Sequence, residues 1–438
     1  MQNAIDRLSR LALNPADIML PKQELDLYKW AVVACDQYTS NRDYWQRVKN
    51  TIGDNPSTLN LIFPEVYLDE GNDDEIIKNI NKNMESYVKR DIFDTYKSCF
   101  FLIKRTVGNK SRWGLIGSLD LEKYDYNSDS TSLIRATEGT ILSRIPPRKK
   151  IRKNAPLELP HIMVLIDDKK RSLIEPFAKD VSKLTEVYNT KLMENGGEIQ
   201  GYLLNTEEQF NSIADSLEGL YNKLDPKNPL LFAMGDGNHS LATAKSCWED
   251  IKKGLSEEEI KNHPSRFALV EIENIHDDGL QFEPIHRVLF DMNKENFEDL
   301  LIKHCSSFEV SKIDDKLELK NAIEEVEGQT FGFATKTDGI LLYKLEDPEG
   351  SIAAATIQLI LDEMVENKIG TLDYIHGFED TIELGTQPGN IAILMPDVSK
   401  STFFDAIIKD KALPRKTFSM GEANEKRYYL EARSLINK

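Results

Sequence analysis

The chain has 438 residues, 40% hydrophobic and 29% charged, with a formal net charge of −18 at pH 7. That balance supplies ample core, excludes a disordered or fibrous class, and predicts two to three closely packed lobes at about 100–200 residues each. A surface this acidic repels nucleic acid and anionic membranes, so neither is an expected partner.

In chain order, "VVACDQYTS" (Val32–Ser40) reads as a buried strand emptying into a polar loop, and "DDEIIKNINKNMESYVKRDIF" has helical periodicity. "CFFLIKRTV" and "RWGLIGSLDL" are β-rich and joined by Gly108-Asn109-Lys110-Ser111, a hairpin signal. "LIRATEGTILSRIPPRKKIRK" predicts a helix stopped by Pro146-Pro147 and running out into an exposed basic segment. Next come a strand in "HIMVLIDD", a helix over "SLIEPFAKDVSKLTEVYNTKLM", a strand in "EIQGYLLN", a helix over "EEQFNSIADSLEGLYNKL" and a short buried strand in "PLLFAM". Beyond Pro284, helices are expected in "ENFEDLLIKHC", "KLELKNAIEEVE", "IAAATIQLILDEMVE" and "STFFDAIIKD", and strands in "QTFGFATK", "GILLYKLE" and "GNIAILMP". The alternation predicts an α/β protein (mixed α+β) with a strand–turn–helix core and a mixed sheet. The expected divisions are an N-terminal region 1–155, a central region 156–290 and a C-terminal region 291–438.

Chemistry concentrates at "LLFAMGDGNHSLATAK" (Leu230–Lys245), where an apolar run ends in Gly235-Asp236-Gly237-Asn238-His239-Ser240 and a helical pattern begins. The glycines permit positive φ and close ligand approach, and Asn238 is placed to cap the helix, turning its first N–H groups outward to favour a phosphate or carboxylate. Asp236 is the candidate base or Mg²⁺ ligand and His239 the candidate acid/base. The rival reading is an ordinary tight turn with an Asx cap and a surface histidine. A second cluster, "DDGLQFEPIHRVLF", holds Glu283, His286 and Arg287; extended backbone puts Glu283 and Arg287 on one face and His286 on the other. Arg287 offers a bidentate anion grip, against a surface salt-bridge strand as the rival.

Weaker candidates are the basic run Arg144, Arg148, Lys149, Lys150, Arg152 and Lys153, which collects anions or is simply solvated, and Asp167-Asp168 at a strand end, binding ligand or capping a helix. "LPRKTFSMGEANEKRYYLEAR" adds Arg415, Lys416, Thr417 and Ser419 as a phosphate cradle or a plain loop. P-loop, Rossmann, zincin and α/β-hydrolase motifs are all missing from the sequence. Cys35, Cys99, Cys247 and Cys305 lack disulfide-framework or metal spacing. The opening residues lack a signal-peptide pattern, and no run nears the roughly 20 apolar residues of a membrane span. A cytoplasmic protein is expected, with homo-oligomerisation left open.

Asp236-Gly237-Asn238-His239, Pro284-Ile285-His286-Arg287 and Pro414-Arg415-Lys416-Thr417-Phe418 stand in an order and spacing that resembles the Domain of Unknown Function 1015 family over nearly the whole chain. Two positions depart: Ser240 stands where the family commonly has Arg, and Asn238 where a second His is usual. The loop is also similar to that of the nucleotide-binding ParB-like fold, which includes free serine kinases, and family genes tend to lie beside those of the phosphoserine route to serine. The resemblance implies phosphoryl transfer on a small hydroxy acid, with serine or phosphoserine as substrate; hydrolysis and transfer to or from a nucleotide both stay open, as do a nucleotide and Mg²⁺ as cofactors. A non-catalytic nucleotide- or metabolite-binding regulator is the alternative. Catalytic roles fall to Asp236, His239 and His286. Phosphate binding falls to Gly235, Gly237, Asn238, Ser240, Arg287, Lys416 and Arg148.

Overall fold

A computed structural model describes residues 1–436. The chain forms two compact units: Met1–Leu280 with Gly421–Lys438, and Gln281–Met420. The boundary expected near Ala155 falls inside the first unit, and the one expected near Phe290 falls ten residues past Leu280.

The first unit is built on an eleven-stranded mixed sheet. Its central strands run in the order Gly197–Leu204, Phe93–Val107, Lys110–Asp120, Phe267–Asn274, Met163–Ile166 and Phe232–Asp236. Phe93–Val107 and Lys110–Asp120 are the expected hairpin, closed by Gly108-Asn109. Side chains alternate across it. Phe101 and Ile103 join a core with the helices Arg42–Ile52 and Asp73–Lys89, whereas Phe100 and Leu102 face the helices Gln2–Arg10, Glu207–Tyr221 and Asn238–Lys252. Each fully buried Leu or Phe contributes about 1.5–3 kcal/mol, so both faces of the sheet are sealed. The α/β class read from the sequence is therefore the observed one.

Two local expectations are corrected. Pro146-Pro147 does not stop a helix but opens one, Ile145–Arg152, because the first turn needs no backbone N–H from proline. The helix expected over "SLIEPFAKDVSKLTEVYNTKLM" survives only as Glu175–Lys179. Thr185–Leu192 is a strand pairing antiparallel with Gly197–Leu204, as its β-branched and aromatic residues favour.

The second unit carries a six-stranded antiparallel sheet in the order Ser307–Ile313, Gly339–Glu346, Gln329–Thr335, Asn390–Leu394, His286–Phe290, Thr371–Ile375. The helices Lys294–Leu301 and Ala353–Glu366 close one face, packing their own Phe297 and Ile357 into a core with Phe331, Phe333 and Tyr343 of the strands.

Candidate functional site

The strand Phe232–Asp236 ends in a register shift against Met163–Ile166, between Met234 and Asp236, which re-aims the Asp236 side chain. Gly237 follows at φ 82 and caps the helix Asn238–Lys252. A Cβ there would sit 3.1 Å from the Ile162 Cα, so glycine serves both the left-handed backbone and the close approach. The expected Asn238 cap is corrected: Asn238 is already helical, and no side chain caps the helix. Instead Asn238 Oδ1 accepts the Thr137 amide at 3.3 Å, and His239 Nε2 accepts the Ile141 amide at 3.3 Å. The loop before the proline helix is thereby tied to the helix N-terminus, which carries partial positive charge.

Asp236 takes the Gly237 N–H on Oδ1 at 2.8 Å, and its Oδ2 lies 3.4 Å from Lys426 Nζ. Lys426 is only 7% exposed, so a single cation is held beside the turn by the returning C-terminal segment. Three residues on, Tyr429 reaches His161 Nδ1 at 2.7 Å, and His161 Nε2 is 2.9 Å from Ser240 Oγ. Asp36, on the polar loop after Val32–Val33, lies 3.7 Å from His161. Glu65 pairs with Arg148 close by; burial pushes its carboxyl above the ordinary range, and the guanidinium works against that shift.

The C-terminal segment is fastened by ions. Arg427 pairs with Glu271 at 2.9 Å and with Glu431, which also receives the Tyr188 hydroxyl. Arg112 pairs with Glu273 at 2.7 Å and donates to the Glu425 carbonyl at 2.9 Å. All these side chains except Glu425 are buried on one face of the sheet.

Sequence reading found Gly235, Asp236, Gly237, Asn238, His239, Ser240 and Arg148 here but missed Asp36, His161, Lys426 and Tyr429. Each lay inside a stretch already singled out: "VVACDQYTS", "HIMVLIDD" and the C-terminal "LPRKTFSMGEANEKRYYLEAR". The basic run is mixed: Lys149 reaches Asp250 at 2.7 Å and Arg152 meets Glu158, Lys150 meets Asp74 at the surface, and Arg144 and Lys153 are exposed. Asp168 is fully buried, taking the Ser172 and Leu173 amides as a turn cap, and Asp167 bonds His276 at 2.6 Å.

His286, Arg287 and Lys416 belong to the second unit. His286 Nδ1 accepts the Met395 amide at 3.0 Å, and burial, aided by Arg287, His376 and Lys320, pulls its pKa down to about 4. Arg287 is fully buried, lies over the Tyr374 ring at 5.5 Å and donates to the Ile285 carbonyl. Lys416 is exposed at φ 62.

Fold and site define an α/β protein with a polar cluster at a strand–helix junction. The chain belongs to the DUF1015 family, described as a protein of unknown function, which matches residues 15–373. A comparison with curated proteins found no match. Among solved structures, a free serine kinase variant in complex with ADP is 12% identical over 73% of this chain and 91% of that one, with a TM-score of 0.38. SbnI with C-terminal truncation from Staphylococcus aureus is 9% identical over 70% and 82%, TM-score 0.35. A conserved hypothetical protein from Pyrococcus furiosus is 11% identical over 72% and 90%, TM-score 0.34. These likenesses assign no role to any residue of this chain. No helix among the described residues is long and apolar enough to cross a membrane.

Proposed function

We propose that the protein is a phosphoryl-transfer enzyme acting on a small hydroxy acid, serine or phosphoserine, at the Asp236–Ser240 turn. The observation that carries this reading is the glycine-capped helix N-terminus with Lys426 beside Asp236, since backbone donors and one buried cation together suit a phosphate. Asp236 acts as base and His239 as acid/base, while Asn238 and Thr137 hold the turn's shape. We assign the phosphate grip to Lys426 in preference to Lys416 or Arg287, because it lies in the same unit as the turn. A nucleotide serves as the phosphoryl partner in the kinase-type variant of the reaction. No group of three metal-ligating side chains occurs among the described residues, so Mg²⁺ would arrive with substrate phosphates and take Asp236 as its carboxylate.

Phosphorus NMR of the protein with O-phospho-L-serine and Mg²⁺, with and without ADP, tests the proposal. Free phosphate means hydrolysis and a nucleoside triphosphate signal means transfer; both should vanish in Asp236→Asn. Unchanged spectra in every tube reject the reading. The rival, a non-catalytic binder of nucleotide or metabolite, draws on the saturation of Asp236 by Gly237 and Lys426. It predicts ligand-induced rises in Tm with no turnover.

A further inference from the structure

His161 is 7% exposed and bonded at both ring nitrogens: Nε2 lies 2.9 Å from Ser240 Oγ and Nδ1 2.7 Å from the Tyr429 hydroxyl. A hydroxyl nucleophile needs a base within hydrogen-bond reach and a third group that orients the base. All three are present here, on a helix start, a strand entry and the C-terminal segment.

The tautomer of His161 with its proton on Nδ1 completes the hydrogen bonds of Tyr429. The Tyr429 oxygen accepts the Cys35 amide at 3.2 Å, and its own proton points to Cys35 Sγ at 3.1 Å. One lone pair is left for His161 Nδ1–H in that tautomer, in which the phenol uses both acceptor sites and its one donor. Nε2 is then the unprotonated nitrogen, and it faces the Ser240 hydroxyl. Burial keeps the Tyr429 phenol and the Cys35 thiol protonated, far above their ordinary ranges, so neither competes as a base. Asp36, 3.7 Å from Nε2, stabilises the imidazolium once the proton has moved.

We infer that Ser240 is a nucleophile and His161 its general base. The inference rests on the phosphoryl-transfer reading for its substrate and, in the hydrolytic variant, gives His161 the proton transfers assigned above to Asp236 and His239. Ser240 Oγ attacks phosphorus, the bond from phosphorus to the substrate oxygen breaks, and the Oγ proton passes to His161 Nε2 and on to the departing oxygen. Water then attacks the phosphoserine, gives its proton to His161, and Oγ leaves and takes that proton. The sum is a phosphomonoester plus water giving an alcohol and phosphate.

Diisopropyl fluorophosphate tests the pair without any physiological substrate, because Oγ displaces fluoride from phosphorus. Mass spectrometry with peptide mapping should find one adduct, on Ser240, absent from Ser240→Ala and formed about 100-fold more slowly in His161→Ala. His161→Asn is the second variant, should the alanine form fail to fold. Tyr429→Phe should slow labelling and displace its pH profile, which a merely structural tyrosine would leave in place. An unlabelled Ser240 in the wild type, or an unchanged rate in the folded His161 variants, overturns the inference. Acid-quenched incubation with O-phospho-L-serine separates the two proposals. Phosphate release that persists in Ser240→Ala ends the serine route and leaves the phosphoryl-transfer reading standing. A labelled Ser240 with no phosphate release ends that reading and keeps the nucleophile.

Discussion

The two units treat similar sequence signals in opposite ways. In the first, Asp236 and His239 stand where a strand stops and a helix starts, half-exposed beside a charged C-terminal segment. In the second, His286 and Arg287 open a strand flanked on both sides, and both are buried, with His286 held neutral against the Met395 amide. A histidine next to a charged residue thus says little until its position along the strand is known. A strand end beside a helix N-terminus leaves donors facing outward, whereas a paired strand consumes them. The cores differ too. The second unit packs aromatic rings, with Tyr343 stacked on Phe331 at 5.0 Å, while the first buries three arginine–glutamate contacts under its C-terminal segment.

The sharpest way to break this contrast is Arg427→Met. It leaves Glu271 and Glu431 buried without their cation, and urea unfolding should report a loss of about 3–5 kcal/mol. A loss below about 1 kcal/mol would mean that the ion cluster is not what fastens the segment. Next, Lys426→Ala should lower phosphate turnover by about 100–1,000-fold, whereas Lys416→Ala should leave it within about threefold, measured by phosphorus NMR. Equal effects would remove the priority given to Lys426.

The second unit is probed by pH. The unfolded chain protonates His286 near 6.5 and the folded one only near 4, so the folded state binds fewer protons between those values. Its contribution is complete above about 6.5 and is lost as pH falls to about 4, by up to about 3 kcal/mol. His286→Asn, which keeps an acceptor for the Met395 amide, should flatten that dependence in urea midpoints measured across the window. The smallest effect concerns a helix end. Thr206 and Gln209 form a reciprocal cap on the helix Glu207–Tyr221, and Thr206→Ala should cost about 1 kcal/mol without altering turnover.

Much of the frame was legible in the sequence. The hairpin Phe93–Asp120, the strand–turn–helix at Asp236 and the helix Asp73–Lys89 each carry a local period or turn chemistry that their own residues set. The central strand Phe267–Asn274 passed unnoticed. Its "VEIEN" alternation reads as a half-solvated edge, yet Glu271 and Glu273 are each 1% exposed. Their partners Arg427 and Arg112 lie far away in the chain, and no local pattern announces them. The proline pair was misread because proline breaks a helix from within yet suits its first turn, and only the packed helix reveals which position it holds.

By itself the sequence determined the α/β class, the glycine-framed turn at Asp236 and the family, because those rest on residues that are neighbours in the chain. Tertiary structure decided the rest. It brought Lys426 and Tyr429, His161, and Asp36 to that turn from three separate segments, and it sank His286 and Arg287 into a sheet. Hydrogen bonds and ion pairs act over a few ångströms of space, whatever the number of residues between their partners.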